Sequence, residues 1–590
     1  ETSLPRTGAE IVIKSGTYGR ILLGGSSGTS SASSITKYNS HNFMGTSLTD
    51  DLYKCKAIID IKNSTTDSTY AYDINLLGGG STCGNIYGDI EINIKNGKIG
   101  RLLGASIGDS SYRPNNWQYP INTFIGTATI NMYGGSVTEM YGGCLGRNMS
   151  AIGGSSYNPI KCDSYFYGIV NINISGGTVS QTIYGAGAGG VSGYSTNSTD
   201  AYKSYGQNID TVININITGG LIDADIYGGG YGYTNYLTAD STQTDGGTLY
   251  GNSNINISGS PTINGSIYGG GRGYDLASNK PDLAQMEGES TLTISGSPTI
   301  NGSIYGAGMG LTNYENMAKF TGTTNININT DLSINAYGGG NIAKTIGTAN
   351  ININSGTHTQ SIFGGGNVGV LEGTSNVQIN GGISSQVYGG GNQAEVTTPT
   401  VTINDGNNEN VYGGGNQAEV TDSTVTVKGG KNQNIYGGGN QAGAQSTKIV
   451  VSSGDSNAIY GGSNASGVVV SSNILMQGGN TLNIYGGNNE GGTTQTSNIT
   501  VSGGTSGNVF GGGNKANTTT SNVTVNNGKI TNVYGGANKA DVTTTNVIIT
   551  GGNIEKAFGG SNQSGTVTQS NVSLEGSSGQ SALGGIKMEV

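Results

Sequence analysis

The chain has 590 residues, of which 108 are glycine, and charged residues make up only 11% of it. A low charge combined with 33% apolar residues excludes a self-repelling disordered chain and favours a thin apolar core with many tight turns. The formal net charge of −10 argues against nucleic-acid binding and against a polybasic contact with a membrane, since both begin with a basic patch. No apolar run approaches the length of a membrane span, so we expect no membrane insertion.

The first segments of the chain, residues 1–13 and 14–140, are irregular in sequence. Residues 1–13 form a lead-in that contains Leu4-Pro-Arg-Thr-Gly8 and ends in the predicted strand Ile11-Val-Ile13. Leu4-Pro-Arg-Thr-Gly8 looks like a sortase sorting signal. Because no apolar segment or basic tail follows it, we interpret it as extended chain. Residues 14–140 contain degenerate copies of a repeat that is regular later in the chain, where an aromatic residue precedes a cluster of glycines. In the degenerate copies Leu23, Leu77 and Leu103 take the place of the aromatic residue.

Four cysteines lie in the first third of the chain, at spacings that match no zinc site. Two interpretations remain open: one or two disulfides between early loops, or buried free thiols. We expect no metal and no cofactor. The cysteines are Cys55, Cys83, Cys144 and Cys162.

Residues 141–336 are predicted to be solenoid coils with lateral insertions. The aromatic slot recurs at Tyr141, Tyr184, Tyr227, Tyr268 and Tyr305, and the extra residues all fall between a glycine cluster and the next Asn-Ile-Asn-Ile strand. Insertions at one point of successive coils emerge on one face of a solenoid. They are rich in tyrosine, which is typical of binding loops; the alternative is that the rings pack against each other and against the solenoid. The candidates for binding or lateral contact are Tyr157, Tyr165, Tyr167, Tyr194, Tyr205, Tyr231, Tyr233, Tyr236, Tyr274 and Tyr314.

Residues 337–590 repeat every 24 or 25 residues, which is the signature of a solenoid with one repeat per coil. Because identical positions stack, we expect an aromatic ladder and, four residues later, an asparagine ladder in which the amides hydrogen-bond along the axis. We also expect the asparagines to accept left-handed backbone angles at a corner. The aromatic positions are Tyr337, Phe363, Tyr388, Tyr412, Tyr436, Tyr460, Tyr485, Phe510, Tyr534 and Phe558. The asparagine positions are Asn341, Asn367, Asn392, Asn416, Asn440, Asn464, Asn489, Asn514, Asn538 and Asn562.

Each regular repeat predicts short strands separated by glycine turns. Thr400-Val-Thr-Ile403 alternates with period two, Asp405-Gly406 turns the chain, and Ala418 and Val420 form a second inward pair. No segment has a helical apolar stripe. The predicted fold is therefore all-β, a right-handed-type parallel β-solenoid (β-helix) of about 19 coils, if Leu583 fills the last slot. At about 4.8 Å per stacked strand, such a solenoid is on the order of 90 Å long.

Few residues in the chain point to catalysis. His41 and His358 are the only histidines, and we interpret His358 as a surface residue. Glu395 and Glu419 occupy equivalent positions, where two exposed carboxylates are more often tolerated than catalytic. We therefore predict that the chain is not an enzyme.

The two ends of the chain predict a subunit contact. Residues 583–590 stop at the position equivalent to Glu395 and Val396, and the N-terminal lead-in begins with the next strand of a coil. One subunit could therefore continue the solenoid of another, an open contact of the kind that forms fibres; a segment cut from a longer array would show the same phase. The candidate contact residues are Ile11, Ile13, Met588 and Val590.

The Tyr-Gly-Gly-Gly-Asn repeats, such as residues 388–392 and 412–416, resemble the β-solenoid repeat regions of bacterial cell-surface and adhesin-like proteins. The resemblance covers almost the whole chain and implies an extracellular or cell-surface protein without catalysis. We expect the chain to be the structural subunit of an extracellular filament whose partner is another copy of itself. The alternatives are a monomeric adhesin stalk whose Tyr-rich loops bind glycans or a host surface, and a disfavoured polysaccharide-degrading β-helix.

Overall fold

The computed structural model describes only part of the chain, and everything below refers to that part. The described residues are 9–13, 17–22, 56–61, 73–78, 85–105, 122–145, 164–188, 191–192, 211–232, 246–273, 283–312, 314, 316–575 and 587–589. The chain divides into two compact units: unit 1 is Glu1–Thr324 with Ile342–Lys344, and unit 2 is Asn325–Asn341 with Thr345–Val590.

The described residues form strands and no helix, as the sequence predicts. The strands of unit 1 are β1 (Ala9–Ile13), β2 (Thr17–Leu22), β3 (Lys56–Ile61), β4 (Asp73–Gly78), β5 (Asn85–Tyr87), β6 (Asp89–Ile94), β7 (Lys98–Leu103), β8 (Asn122–Met132), β9 (Ser136–Tyr141), β10 (Ser164–Ile174), β11 (Thr178–Val179), β12 (Ile183–Tyr184), β13 (Val191–Ser192), β14 (Val212–Ile217), β15 (Leu221–Ile222), β16 (Ile226–Tyr227), β17 (Leu249–Tyr250), β18 (Asn252–Ile257), β19 (Thr262–Ile263), β20 (Ile267–Tyr268), β21 (Met286–Ile294), β22 (Thr299–Ile300) and β23 (Ile304–Tyr305).

The division between the units falls within β24 (Phe320–Asn329). The remaining strands are β25 (Ala336–Tyr337), β26 (Thr345–Ser355), β27 (Thr357–Phe363), β28 (Leu371–Ile379), β29 (Ile383–Tyr388), β30 (Val396–Ile403), β31 (Asn407–Tyr412), β32 (Val420–Val427), β33 (Lys431–Tyr436), β34 (Ala444–Val451), β35 (Asp455–Tyr460), β36 (Val468–Met476), β37 (Asn480–Tyr485), β38 (Thr493–Phe510), β39 (Asn517–Tyr534), β40 (Val542–Ile549), β41 (Asn553–Phe558), β42 (Val567–Leu574) and β43 (Lys587–Glu589).

The fold is an all-β parallel β-solenoid. Strands pair in parallel with the equivalent strand of the next coil, so β29, β31, β33, β35 and β37 form one series. The strands β28, β30, β32, β34 and β36 form a second series. Identical positions are in register, as Tyr388 opposite Tyr412 and Val401 opposite Val425 illustrate. The stacking that the period of 24–25 residues predicted is therefore confirmed.

The core consists of alternate residues of each strand. The predicted inward pair Val401 and Ile403 is buried, with exposed fractions of 1% and 0%, and the second pair, Ala418 and Val420, is 7% and 5% exposed. The same alternation holds in unit 1, where the isoleucines of β14 are all buried. The thin apolar core expected from composition is therefore a set of residue columns, one aliphatic side chain per coil in each column.

Two kinds of glycine shape each coil. The turn glycines Gly406 and Gly430 have φ angles of 101° and 77°, which confirms the predicted turns. The glycines after the aromatic slot have no such angle; a Cβ on Gly413 would instead lie 2.4 Å from the carbonyl oxygen of Gly437 in the next coil. The expected left-handed asparagines were wrong, because the only non-glycine residues with positive φ in the described ranges are Ala284 and Ala318.

The strand register confirms one predicted slot in the irregular coils and corrects two. Leu103 pairs with Tyr141, as predicted. However, Leu103 pairs with Gly78, not with Leu77, and Gly78 pairs in turn with Leu22, not with Leu23. These pairings move two slots by one residue. At Leu22-Leu23 a doubled leucine offers two equivalent choices in sequence, whereas at Leu76-Leu77 the pairing places the slot on Gly78, which has no side chain to mark it.

The last strand corrects the predicted phase of the C-terminus. β43 pairs with β41, which places Glu589 opposite Phe558 and Met588 opposite Ala557. The aromatic slot of this coil is therefore at Glu589, not at Leu583. The predicted equivalence of the last residues with Glu395 and Val396 was wrong. Of the other candidate contact residues, Ile11 and Ile13 pair with Ile59 and Ile61 of the same chain. Val590 lies outside the described residues, and the subunit contact stays a prediction.

Candidate functional site

The asparagine ladder runs unbroken through unit 2. Each of its ten members is linked to the next by a hydrogen bond from Nδ2 of one residue to Oδ1 of the residue one coil earlier, over 2.8–3.0 Å. The ladder starts at Asn341 and reaches Asn562. The side-chain amide offers a donor and an acceptor on separate atoms, so one residue type can bond to copies of itself above and below.

The aromatic ladder lies inside the coils, a point that the sequence left open. Eight of its ten rings, from Tyr337 to Phe510, are buried, and Tyr534 and Phe558 are half-buried. Successive ring centroids are 4.5–5.0 Å apart and the rings are within 11° of parallel. Burial raises the pKa of Tyr412 to about 12. Stacked rings and burial together make this column part of the core.

Two further polar columns were missed in the sequence. On the outward side of the strands, Asn473, Asn498, Asn522, Asn546 and Asn571 form a second asparagine ladder, with amide bonds of 2.8–3.0 Å. Their spacing of 24–25 residues could have revealed it. Inside the coils, buried hydroxyls such as those of Ser423 and Thr447 donate to the first glycine carbonyl after the aromatic slot, over 2.6 Å in both cases. The period-two alternation could have revealed them, because Ser423 shares a face of its strand with the buried Val425 and Val427.

Four of the candidate tyrosines are described, and they pack within the fold. Tyr167 is 3% exposed and stacks with Tyr165 at a centroid distance of 6.3 Å. Tyr314 is half-buried and forms an isolated bridge with Leu311. Tyr231 stacks on Tyr184. These four rings therefore favour the packing alternative. The others, Tyr157, Tyr194, Tyr205, Tyr233, Tyr236 and Tyr274, lie outside the described residues.

Tyr231 belongs to a column that corresponds to the asparagine ladder. It stands four residues after the aromatic slot Tyr227, and it bridges Ala188 in one direction and Arg272 in the other. In unit 1 this column therefore holds large and varied residues.

Arg272 sits at the centre of an aromatic cluster in unit 1. Its Nη1 donates to the hydroxyl of Tyr184 over 2.8 Å, and its guanidinium lies 5.2 Å from the ring centroid of Tyr231 and 6.0 Å from that of Tyr227. Desolvation by burial raises the pKa of Tyr184, and Arg272 opposes that rise by favouring the phenolate. The guanidinium already uses one hydroxyl and two ring faces, so we interpret the cluster as packing that fixes the base of the insertions.

A groove crosses the outward side of six strands of unit 2, from β29 to β38. It has a volume of about 1000 Å³. Two rows of outward side chains form its walls. The walls combine four amides and two hydroxyls with three charged and two apolar side chains, so just over half of the groups are neutral and can hydrogen-bond. The side chains of the walls are Ile383, Ser385, Asn407, Glu409, Lys431, Gln433, Asp455, Asn457, Asn480, Leu482 and Thr505.

The remaining candidates for chemistry are distributed singly. His358 is 1% exposed, so its assignment to the surface was wrong; its Nε2 lies 3.1 Å from the carbonyl oxygen of Ser355, and burial lowers its pKa. Glu395 and Glu419 are exposed, as expected. Cys144 is buried and its thiol donates to the carbonyl of Tyr165 over 3.4 Å. In the described ranges, no three His, Cys, Asp or Glu side chains are grouped as metal ligands would be.

Three cysteines and one histidine of the sequence analysis fall on residues that the structure does not describe. Cys55, Cys83 and Cys162 lie outside the described residues, so the choice between disulfides and free thiols stays open. His41 lies outside them too.

The fold and these columns define a parallel β-solenoid repeat protein. The chain matches no protein-family model. It also matches no curated protein and no solved structure. Among the described residues, no helix is long and apolar enough to cross a membrane.

Proposed function

We propose that this chain is a structural subunit of an extracellular bacterial filament, assembled by head-to-tail stacking of β-solenoids. The observation that supports the proposal is the unbroken asparagine ladder from Asn341 to Asn562. Each coil of unit 2 is held to the next by the same amide bond and by an aromatic ring in the same column, so one coil surface is complementary to a copy of itself.

A self-complementary coil surface favours polymerisation. A parallel strand whose edge is open can pair with a strand of another chain, and the ladders add side-chain bonds in the same direction. Such a contact joins two different surfaces of one subunit, so it does not close on itself and leads to a fibre.

The extracellular location rests on composition and on resemblance. The chain is rich in Gly, Ser, Thr and Asn and carries few charges. Its Tyr-Gly-Gly-Gly-Asn repeats resemble those of bacterial cell-surface proteins. Both features suit an exposed fibrous surface.

Electron microscopy and analytical ultracentrifugation of the purified chain test the filament proposal. We expect unbranched fibres whose length increases with protein concentration, with an axial repeat near ~90 Å if about 19 coils stack at the strand spacing. A single sedimenting species of monomer mass at all concentrations, with separate particles on the grid, would refute it.

The groove of unit 2 favours a second function, the binding of a neutral glycan along the solenoid surface. Gln433 and Asn457 lie on neighbouring strands of its wall, and their amides can donate to and accept from sugar hydroxyls. This second function is proposed for the regular coils, and glycan binding by the Tyr-rich insertions stays a prediction from the sequence.

A glycan array and titration calorimetry test this second function. We expect a bound neutral glycan to be lost or weakened at least tenfold by the double substitution Gln433→Ala and Asn457→Ala. The matched control is Gln417→Ala, an exposed amide outside the groove. Equal effects of the double variant and of the control would contradict a role for the groove.

A further inference from the structure

Seven successive coils of unit 2 place a polar residue in the core. The residues belong to β27, β29, β31, β33, β35, β37 and β38, and each pairs with the next in the strand register. All are at least nine-tenths buried, with exposed fractions of 1–7%. We name them the inner polar column: His358, Ser384, Asn408, Asn432, Ser456, Thr481 and Ser506.

The column is apolar where it continues. Ser506 pairs with Ile530 and Ile530 with Ile554, and both isoleucines are buried. The position can therefore be filled by an aliphatic side chain in the same kind of coil. The polar residues are not a requirement of the fold at this position, so they need another explanation.

The hydrogen bonds of the column are incomplete. Asn408 Nδ2 donates to Asn432 Oδ1 over 2.9 Å, and the hydroxyl of Ser506 donates to the carbonyl of Asn508 over 3.2 Å. Within the part of the chain that the structure describes, five buried atoms of the column have no hydrogen-bond partner in the protein. They are His358 Nδ1, Ser384 Oγ, Asn408 Oδ1, Ser456 Oγ and Thr481 Oγ1.

These five atoms fall into two groups on adjacent coils. His358, Ser384 and Asn408 form the first group, and Ser456 and Thr481 form the second. A buried polar atom without a partner bears its full desolvation penalty. Since native cores rarely leave such atoms unpaired, two adjacent groups of them indicate a small polar ligand between the coils.

The geometry suits water. Stacked strands are about 4.8 Å apart. If a small molecule lies about 2.8 Å from one oxygen on each of two adjacent coils, the angle between its two hydrogen bonds is about 118°, which is close to the tetrahedral angle of water. The serines of the column leave space for it: a serine side chain has two non-hydrogen atoms where isoleucine has four, and one water occupies about 30 Å³.

The same atoms do not suit a metal ion. Calcium takes about six to eight oxygen ligands, usually with carboxylates among them, and magnesium demands a near-ideal octahedron. The column offers hydroxyls, amides and one imidazole, with one atom per coil and no carboxylate. Water needs only two to four partners, of which the coils supply two.

We propose that the inner polar column binds ordered water molecules inside the solenoid, at least two between His358 and Asn408 and at least one between Ser456 and Thr481. These waters complete the hydrogen bonds that the protein leaves open and link successive coils as the asparagine ladder does outside. The proposal is independent of whether the chain forms filaments or binds glycans.

The test is a high-resolution crystal structure of the full chain, with magnetic relaxation dispersion in solution to count long-lived internal waters. We expect a water within hydrogen-bond distance of both Ser456 Oγ and Thr481 Oγ1, and others beside Ser384. A column without water, hydroxyls bonded to protein carbonyls instead, or density with the short distances of a metal ion would each overturn the proposal.

Variants locate the waters that are counted in solution. Thr481→Val keeps the shape of threonine and removes its hydroxyl, and Ser456→Val fills the space beside it. We expect the double variant to lose at least one long-lived water. The control Thr519→Val changes an exposed threonine and should lose none. An unchanged count in a folded double variant would exclude this location, and the wild-type crystal structure still decides the question if the variant does not fold.

Discussion

Replacing Asn416 with alanine should open the asparagine ladder at one defined point. Asn416 Nδ2 donates to Asn392 Oδ1 over 2.9 Å, and Asn416 Oδ1 accepts from Asn440 Nδ2 over 3.0 Å. Alanine removes both bonds and leaves an acceptor and a donor unpaired on the two neighbouring coils. At about 1 kcal/mol for each half-exposed bond, the free energy of local opening should fall by about 2 kcal/mol.

Hydrogen exchange measures that loss locally, which suits a repeat protein whose unfolding need not be two-state. The backbone N–H of Gln417 donates to the backbone carbonyl of Asn392, and that of Gln441 donates to the backbone carbonyl of Asn416, both over 2.8 Å. A loss of about 2 kcal/mol accelerates their exchange roughly 30-fold, because each 1.4 kcal/mol is a factor of ten. The control Gln417→Ala changes the exposed neighbouring side chain and should alter exchange little. If both variants exchange at similar rates, the ladder does not stabilise the coils.

An aspartate at the same position adds a test of direction. At neutral pH a carboxylate at residue 416 still accepts from Asn440 Nδ2, but its other oxygen faces Asn392 Oδ1. Because two acceptors then face each other, Asn416→Asp should destabilise the ladder more than alanine does. Below a pH of about 4 the carboxyl group is protonated and can donate to Asn392 again. Exchange in this variant should therefore slow on acidification relative to Asn416→Ala. No difference between the two variants across this range would contradict the donor and acceptor assignment.

Three further predictions follow from the packing. Gly413→Ala should destabilise the coils by about 1–3 kcal/mol, because its Cβ would meet the carbonyl of the next coil, whereas Gly560→Ala, with nothing within 4 Å, should be tolerated; equal thermal stability of the two variants would contradict this. Burial raises the pKa of Tyr412 to about 12, so its stabilising effect is complete below pH 10 and is lost as the pH rises towards 12; tyrosine absorbance titrated alongside circular dichroism should show buried rings ionising only as the strands melt. Burial lowers the pKa of His358, so its contribution to stability is complete above pH 6.5 and is lost as the pH falls through the lowered value. In His358→Leu the melting temperature should therefore fall less steeply with decreasing pH than in the wild type, and an equal dependence on pH would contradict the burial of His358.

Much of the regular array could be predicted from sequence because stacking copies the period directly into space. The spacing of Tyr388, Tyr412 and Tyr436 gives the strand register, and Asn392 and Asn416 gave their ladder. In the irregular coils the same reasoning failed by one residue at Leu77, because the residue that pairs with Leu103 is Gly78, which has no side chain to mark the slot in the sequence.

The candidate surfaces were predicted less well, for a reason that lies in burial. Tyr167 and Tyr231 belong to segments whose composition is typical of binding loops, yet both pack within unit 1. The composition of a segment does not state which side of a strand a ring occupies. The groove was also missed, because its walls come from six coils and each coil contributes only one or two side chains.

The sequence by itself determined the period, the strands and the ladders, since these follow from local alternation and from the repetition of one residue type. Only the tertiary structure decided what lies inside. His358 looked like a surface residue in a polar stretch and is buried, and Ser384 and Thr481 proved to be core residues without protein partners among those described. The physical reason is that a strand has two faces of opposite environment, and a polar residue can be placed on the inner one wherever something else satisfies its hydrogen bonds.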